Sequence, residues 1–160
     1  MTAAVVYETS FGNTRRVAET IAREFGATAY AVDAAPALDG IDLLVVGAPT
    51  HVHGLSTARS RQAAHDQGAP GEEAGAGARG LLETLPRGSG LRAAAFDTRV
   101  DKPRVLTGSA AAGIVKRLRR HGCTVVAEPE SFFVESTEGP LAAGELERAA
   151  AWAQRLADTR

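Results

Sequence analysis

The chain has 160 residues, of which 44% are hydrophobic, and it carries 18 basic and 19 acidic residues. A chain of this length and apolar content is expected to fold as one domain over residues 1–160. The near balance of charge excludes a global electrostatic attraction to nucleic acid or to an anionic membrane.

The sequence shows neither a basic segment followed by an apolar stretch at the N-terminus nor a run of about 20 apolar residues. A cytoplasmic protein that contacts no membrane is therefore expected. The single cysteine, Cys123, has no second cysteine for an internal disulfide or a cysteine-based metal site. It is predicted to be a small buried apolar residue.

Short apolar runs alternate along the chain with segments of helical periodicity, which is typical of right-handed β-α-β units around a parallel sheet. Most of the runs are too apolar for a half-exposed sheet, so at least three strands are expected to be buried on both faces. The predicted fold class is α/β. The predicted strands are residues 3–7, 27–32, 43–47, 91–96, and a last strand that runs from 124–127 through 132–134.

The segments of helical periodicity predict helices on both sides of this sheet. The first carries an apolar stripe and ends before Gly26, a residue that commonly stops a helix. The last places small and apolar residues on one face with Trp152 at its flank. The predicted helices are residues 13–25, a short one at 78–85, 109–121 and 142–157.

Residues 66–80 are rich in Gly, Ala and Glu without apolar periodicity, which predicts a mobile loop. Gly75, Gly77 and Gly80 match the pattern G-x-G-x-x-G of dinucleotide-binding proteins. That pattern binds a dinucleotide only where a strand leads into it. Pro70, Gly71 and two glutamates come before it here, so the loop composition explains the glycines.

The loop 9–14 joins the first predicted strand to the first helix, where unpaired N–H groups and the positive end of the helix dipole meet. Thr9, Ser10 and Thr14 add hydroxyl donors, and Gly12 permits a tight turn. The residues alone fit either an anion site or a capped helix that binds nothing. The loop has no Gly-Lys-Ser or Gly-Lys-Thr, so it is not a nucleotide P-loop.

The stretch YETSFGNTRRVAETIA, residues 7–22, resembles the phosphate-binding loop and first helix of the flavodoxin family, whose pattern is Thr/Ser-x-Thr-Gly-x-Thr. Thr9, Gly12, Asn13 and Thr14 match the pattern, and Phe11 stands in place of its middle hydroxyl residue. DLLVVGAPTHVHG resembles the third strand and first flavin-binding loop of the family, and AAAFDTR resembles the fourth strand and second flavin-binding loop.

This resemblance implies a three-layer, doubly wound sheet of five parallel strands in the order 2-1-3-4-5, with the ligand beyond the carboxyl ends of the strands. It implies FMN as the cofactor, with its phosphate in the first loop and its isoalloxazine between the other two. The flavin then carries the redox chemistry, and no catalytic side chain is required. The implied cofactor-binding residues are Thr9, Ser10, Phe11, Gly12, Asn13, Thr14, Pro49, Thr50, His51, Val52, His53, Gly54, Phe96, Asp97, Thr98 and Arg99.

Family members commonly stack the flavin against tryptophan or tyrosine. The two tyrosines of this chain, Tyr7 and Tyr30, fall in predicted strands, and Trp152 falls in the last helix. The flat side chains available in the two flavin loops are then those of His51, His53 and Phe96.

Charged groups near the implied site have more than one interpretation. Arg59, Arg61 and Arg99 as a cluster would favour an anionic reduced flavin or an anionic substrate. Alternatively, Arg99 forms an exposed ion pair with Asp97 at the end of a strand. His51 and its neighbouring histidines lack cysteine and carboxylate partners at ligand spacing, so no metal site is predicted.

Three functions remain open on this basis. The first is an FMN-binding electron-transfer protein with a redox partner protein, either a reductase or an acceptor. The second is an FMN-dependent oxidoreductase that acts on a small molecule such as a quinone or a porphyrinogen-like substrate, with the loop 66–80 as a lid. The third is a protein of this fold that has lost flavin, because Phe11 replaces a hydroxyl residue and the stacking aromatics are missing.

Overall fold

The computed structural model describes residues 1–51, 54–68 and 77–159. The strands in these residues are β1 (Ala3–Tyr7), β2 (Ala29–Ala31), β3 (Leu43–Pro49), β4 (Arg92–Val100), β5 (Thr124–Val125) and β6 (Glu130–Val134). The helices are α1 (Asn13–Glu24), α2 (Ala58–Asp66), α3 (Gly77–Glu83), α4 (Arg104–Thr107), α5 (Ala110–Arg120) and α6 (Glu145–Asp158), with a 3-10 turn at Val32–Ala34.

The strands form one parallel sheet in the order β2-β1-β3-β4-β5, and β6 also pairs with β4. The predicted order 2-1-3-4-5 is therefore confirmed. The single last strand that the sequence predicts is divided in two. β5 pairs with the first residues of β4, and β6 pairs with its second half, from Phe96 to Val100. Pro129 lies between them and has no N–H to donate to the sheet, which accounts for the break.

The three central strands, β1, β3 and β4, are buried on both faces, as predicted. Alternate side chains of these strands point to opposite sides of the sheet. On one side they pack with α1 and α6 around Ile21 and Trp152. On the other side they pack with α3 and α5 around Leu82 and Ile114. The result is the predicted arrangement of three layers.

The predicted helices α1, α3, α5 and α6 are present, with ends that differ from the predicted ones by three residues at most. Gly26 follows α1 with a φ of +61°, which is the left-handed conformation expected of a stop glycine. Trp152 is not at the flank of α6 but in the core, where 4% of its surface is exposed. Cys123 is buried, as predicted, and this burial raises the pKa of its thiol even though a hydrogen bond with Ser89 opposes the shift.

Helix α2 is not predicted by the sequence. Its residues, ARSRQAAHD, contain no apolar stripe, and none of them is buried. The helix begins at Thr57, whose hydroxyl accepts a hydrogen bond from the backbone N–H of Ser60, while the Ser60 hydroxyl accepts one from the backbone N–H of Thr57. This reciprocal capping stabilises the first turn of a helix in which no residue is fully buried.

Helices occupy both ends of the segment 66–80, which is predicted to be a loop. Asp66 is the last residue of α2, and α3 begins at Gly77. Gly77 and Gly80 lie within α3 rather than in a turn between a strand and a helix. Residues 69–76 lie outside the described part of the chain. No helix among the described residues is long and apolar enough to cross a bilayer.

Candidate functional site

A cavity of about 360 Å³ opens at the carboxyl ends of β1, β3 and β4. The chain leaves β1 toward β2 and leaves β3 toward β4 on the opposite side, so the cavity lies at the point where the strand order reverses. Open α/β sheets bind ligands at this point. The predicted cofactor residues that line the cavity are Thr9, Ser10, Phe11, Asn13, Thr14, Pro49, Thr50, His51, Thr98 and Arg99.

The loop between β1 and α1 forms one end of the cavity. Gly12 precedes α1 with a φ of +89°, and its N–H donates to the hydroxyl of Thr9 at 3.0 Å. The N–H groups of the first turn of α1 have no partner within the helix. The first turn carries no acidic residue. This end of the cavity is therefore rich in donors and electrostatically positive.

Hydroxyl groups add to these donors. Thr14 is 1% exposed, and its hydroxyl lies 2.8 Å from that of Thr98 on β4. In such a pair one hydroxyl donates to the other, and the accepting one keeps its proton for a third group. Thr9 likewise accepts from Gly12 and keeps its own proton. The loop therefore retains hydroxyl protons that it can donate to an anion.

The two arginines that follow the loop do not contribute to it. Arg15 and Arg16 are both exposed. The Arg15 Nε donates to Glu19 Oε1 at 2.7 Å within α1, and this exposed pair raises the pKa of Arg15. Neither arginine lines the cavity.

Thr50 and His51 continue from β3 into the middle of the cavity. The N–H of Thr50 donates to the carbonyl of Thr98 at 2.9 Å, and its hydroxyl accepts from the N–H of Ala110 at 3.1 Å. His51 and Gly54 exchange two backbone hydrogen bonds of 2.7 and 2.6 Å. Gly54 itself is not part of the lining. Val52 and His53, both predicted to bind the cofactor, lie outside the described residues.

The ring of His51 bridges two elements. Its Nε2 lies 3.1 Å from the hydroxyl of Ser10, and its Nδ1 lies 3.0 Å from the hydroxyl of Ser60 on α2. Burial lowers the pKa of His51, and the charge of Arg61 lowers it further, whereas Glu8 opposes the shift. The lowered pKa favours the neutral form of the ring, in which one nitrogen donates and the other accepts.

Helix α2 supplies a wall of the cavity that the sequence did not reveal. Ser60, Ala63 and Ala64 of this helix line the cavity, as does Gln67, which follows the helix. The signal that could have found the helix is the spacing of Thr57 and Ser60, since paired hydroxyl residues three apart can cap a helix. The remaining unpredicted lining residues are Val100, Thr107, Val134 and Thr137.

Arg99 lines the cavity and is held in place from several sides. Its Nε donates to the hydroxyl of Ser131 at 3.0 Å, and its Nη1 donates to the carbonyl of Lys102 at 2.5 Å. Its guanidinium also lies 5.1 Å from the ring centre of Phe133. Arg99 is the permanently charged residue among the described lining residues.

The predicted arginine cluster is corrected by these contacts. Arg59 is exposed on α2, and the Nη1 of Arg61 donates to the hydroxyl of Ser56 at 2.9 Å outside the cavity. Neither residue belongs to the lining, whereas Arg99 does. The three side chains therefore do not act as one cluster.

The predicted positions of Phe96 and Asp97 in a flavin-binding loop are also corrected. Strand β4 continues to Val100 and does not become a loop at Phe96. Phe96 is fully buried in the core. The carboxylate of Asp97 accepts from the hydroxyl of Ser109 at 2.7 Å and from the N–H of Ala111 at 3.0 Å. Asp97 thus caps α5 and does not pair with Arg99. Neither Phe96 nor Asp97 faces the cavity.

Glu8 is a buried residue next to the site that sequence reasoning missed. Its Oε1 accepts from the hydroxyl of Ser56 at 2.7 Å and from the N–H of Ala78 at 2.9 Å. A side chain at Gly77 would lie 2.2 Å from the same oxygen, so glycine is required there. Glu8 therefore ties the end of β1 to the segment before α2 and to the start of α3.

No three side chains of histidine, cysteine, aspartate or glutamate among the described residues lie close enough together to hold an ion.

No protein-family model and no curated protein matches the sequence. Solved structures match the fold along its whole length. Flavodoxin 2 from Bacillus cereus aligns with a TM-score of 0.70 and 16% identity over 100% of both chains. A flavodoxin from the domain Archaea aligns with a TM-score of 0.66 and 19% identity over 99% of this chain and 97% of that one.

A flavodoxin, WrbA-like protein from Agrobacterium tumefaciens aligns with a TM-score of 0.63 and 21% identity, over 98% of this chain and 95% of that one. Identities in this range establish the architecture and not the ligand. Together with the strand order 2-1-3-4-5 and the three layers, they show that the chain has the flavodoxin fold.

Proposed function

We propose that the protein binds FMN in the cavity at the carboxyl ends of β1, β3 and β4 and transfers electrons to or from a partner protein. The observation that carries this proposal is the lining of the cavity. The donor-rich loop 9–14 lies at one end, and Thr50, His51, Thr98 and Arg99 line the rest. Solved structures with this fold include flavodoxins, two of them from Bacillus cereus in the oxidised form.

The loop fits a phosphate group. A phosphate dianion needs several donors, a positive local field and no neighbouring carboxylate. The first turn of α1, the hydroxyls of Thr9 and Thr14 and the absence of acidic residues in that turn meet these needs. Gly12 presents no Cβ to the ligand, and a Cβ built there meets nothing within 4 Å.

The rest of the cavity fits a flat, largely apolar ring system. The whole cavity has a volume of about 360 Å³, which falls within the usual range for cofactor sites. Pro49, Val100, Val134 and the alanines of α2 give it apolar walls. When bound, FMN supplies one- and two-electron transfer. The chain would bind and orient it, and Arg99 would favour negative charge on the ligand.

An FMN-dependent oxidoreductase that acts on a small molecule is the second candidate. Two observations favour it. Arg99 gives the cavity a positive charge, and helix α2 forms one of its walls. Such a cavity suits an anionic or quinone-like substrate better than it suits contact with a protein surface.

Binding of flavin is the first test of the proposal. We expect flavin-free protein to bind one FMN per chain, measured by the change in flavin fluorescence. Riboflavin, which lacks the phosphate, is the matched control and is expected to bind about a hundredfold more weakly, because it loses several charge-assisted hydrogen bonds. A protein that binds neither ligand would contradict the proposal, and equal affinities would place the phosphate away from loop 9–14.

The two functions differ in what the flavin-loaded protein does alone. An electron-transfer protein is expected to oxidise a nicotinamide cofactor with a quinone only when a reductase is added. Steady turnover without a reductase would favour the oxidoreductase. The absorbance of the nicotinamide cofactor at its characteristic wavelength measures both reactions.

Phe11 provides a further prediction, because it lines the cavity where the family pattern has a hydroxyl residue. The substitution Phe11→Thr is expected to tighten FMN binding about five- to tenfold, since a new hydrogen bond to a charged group forms. Riboflavin affinity should stay unchanged. Weaker binding of both ligands would show instead that the Phe11 ring contacts the flavin.

A further inference from the structure

Helix α2 covers the cavity without being anchored by a hydrophobic face. None of its nine residues is buried, although Ser60, Ala63 and Ala64 line the cavity. Helices in proteins are stabilised mainly by the burial of an apolar face. Polar contacts therefore have an unusually large share in determining where this helix lies.

Polar contacts connect α2 to neighbouring parts of the described chain. The hydroxyl of Ser60 meets the Nδ1 of His51 at 3.0 Å, and Arg61 donates to Ser56 at 2.9 Å. The first contact continues through the ring to the hydroxyl of Ser10 at 3.1 Å. His51 therefore links α2 directly to the loop that we assign to the phosphate.

We propose that His51 is a positioning residue that holds α2 over the cavity and couples the position of α2 to the occupation of the phosphate loop. The cofactor part of this inference rests on the proposed binding of FMN. The positioning part rests on the geometry of Ser10, His51 and Ser60 alone.

A neutral histidine suits this position. Its two ring nitrogens project in different directions, one as donor and one as acceptor, and a serine hydroxyl can satisfy either. The backbone of His51 exchanges two hydrogen bonds with Gly54. The ring is therefore attached to a part of the main chain that is held in place. Glu8 and Arg61 contribute opposite charges near the ring, and Arg99 lines the same cavity.

The coupling follows from the position of Ser10. Its hydroxyl lies in the loop 9–14 and also contacts His51, so an anion that orders the loop also orders the ring. The ring in turn orders Ser60 and the first turns of α2. A helix that closes when the phosphate binds would slow the release of the cofactor without adding an aromatic stacking partner.

Hydrogen exchange of the flavin-free protein tests the positioning part. The substitution His51→Ala is expected to accelerate exchange at the α2 amides about tenfold and to leave those of α1 and α6 unchanged, because the hydrogen bond between the His51 ring and Ser60 is lost near the start of α2. Arg59→Ala, a substitution at an exposed position of the same helix, is the matched control. It should not change the exchange rates in α2, α1 or α6. Unchanged exchange in α2, or equal acceleration in α1 and α6, would overturn the inference.

A mutant cycle between His51 and Ser60 tests whether they act as a pair. His51→Ala and Ser60→Ala are each expected to accelerate α2 exchange. Ser60→Ala removes the cap of α2 as well as the contact with His51, so the double variant should be no faster than Ser60→Ala alone. His51→Gln, which keeps a donor and an acceptor, should restore at least part of the protection. Fully multiplicative effects, or no rescue by glutamine, would show that the two residues act independently.

The release of FMN tests the coupling. His51→Ala is expected to release FMN about tenfold faster than the unmodified chain in stopped-flow dilution, and His51→Gln should restore part of the difference. An unchanged release rate would overturn the coupling. If the unmodified chain binds no FMN, the proposed function fails, whereas the hydrogen-exchange result in the flavin-free protein still decides the positioning role of His51.

Discussion

Replacing Phe96 by alanine is expected to lower the free energy of unfolding by about 3–5 kcal/mol, the usual cost of removing a buried aromatic ring. Phe96 is fully buried. Its ring meets those of Phe132 and Trp152 edge to face, with centroid separations of 5.9 and 6.2 Å. Urea unfolding followed by circular dichroism measures the loss.

The conservative variant Phe96→Leu separates the core role from a role in the flavin site. Leucine refills part of the volume, so a smaller loss of about 1–2 kcal/mol is expected. FMN affinity should remain within about threefold, because the Phe96 side chain packs in the core between the sheet and helices α1 and α6, outside the cavity lining. A large loss of affinity with little loss of stability would return Phe96 to the cofactor site.

Gly47 explains why this ring fits at the centre of the sheet. It pairs with Phe96 across β3 and β4, and a Cβ built at Gly47 would lie 2.0 Å from the ring. The ring therefore occupies the space that a side chain at position 47 would take. The sequence shows a glycine in an apolar run, which marks a close approach, but it does not show which side chain approaches.

The prediction of the fold succeeded where the signal was local and strong. The runs at 3–7 and 43–47 are continuous stretches of apolar and β-branched residues, and they form the central strands β1 and β3. The stripe that includes Val17 and Ile21 predicted α1, and the same residues are buried against the sheet. Burial of apolar surface decides these elements, and the sequence displays it directly.

The prediction of the site was weaker where tertiary contacts outweigh the local pattern. The polar residues DTR resemble the start of a loop, yet they continue β4, because one carboxylate oxygen of Asp97 accepts two hydrogen bonds at the start of α5 and Arg99 donates to Ser131. A polar strand end of this kind depends on partners distant in sequence. The same holds for α2, which is capped by its own hydroxyls and has no apolar face.

Among the substitutions, the largest effect on FMN binding is expected at Gly12. Gly12→Asp should bind FMN about thirtyfold more weakly than Gly12→Asn, a difference of about 2 kcal/mol, because it places one like charge beside the phosphate. The two variants share nearly the same size and the same strain, because Gly12 has a φ of +89°. Their difference therefore isolates the charge. Fluorescence titration of each variant with FMN measures it.

Two controls make this comparison specific. Riboflavin, which has no phosphate, should distinguish little between the variants, and added salt should narrow the difference for FMN. In the flavin-free protein, Gly12→Asp is expected to be at least as stable as Gly12→Asn, because a negative charge at the start of α1 interacts favourably with the helix dipole. If the carboxylate introduced by Gly12→Asp stabilises the flavin-free protein and weakens FMN binding, it competes with the phosphate for the same N–H groups. Equal FMN affinities of the two variants would show that the phosphate does not bind at the start of α1.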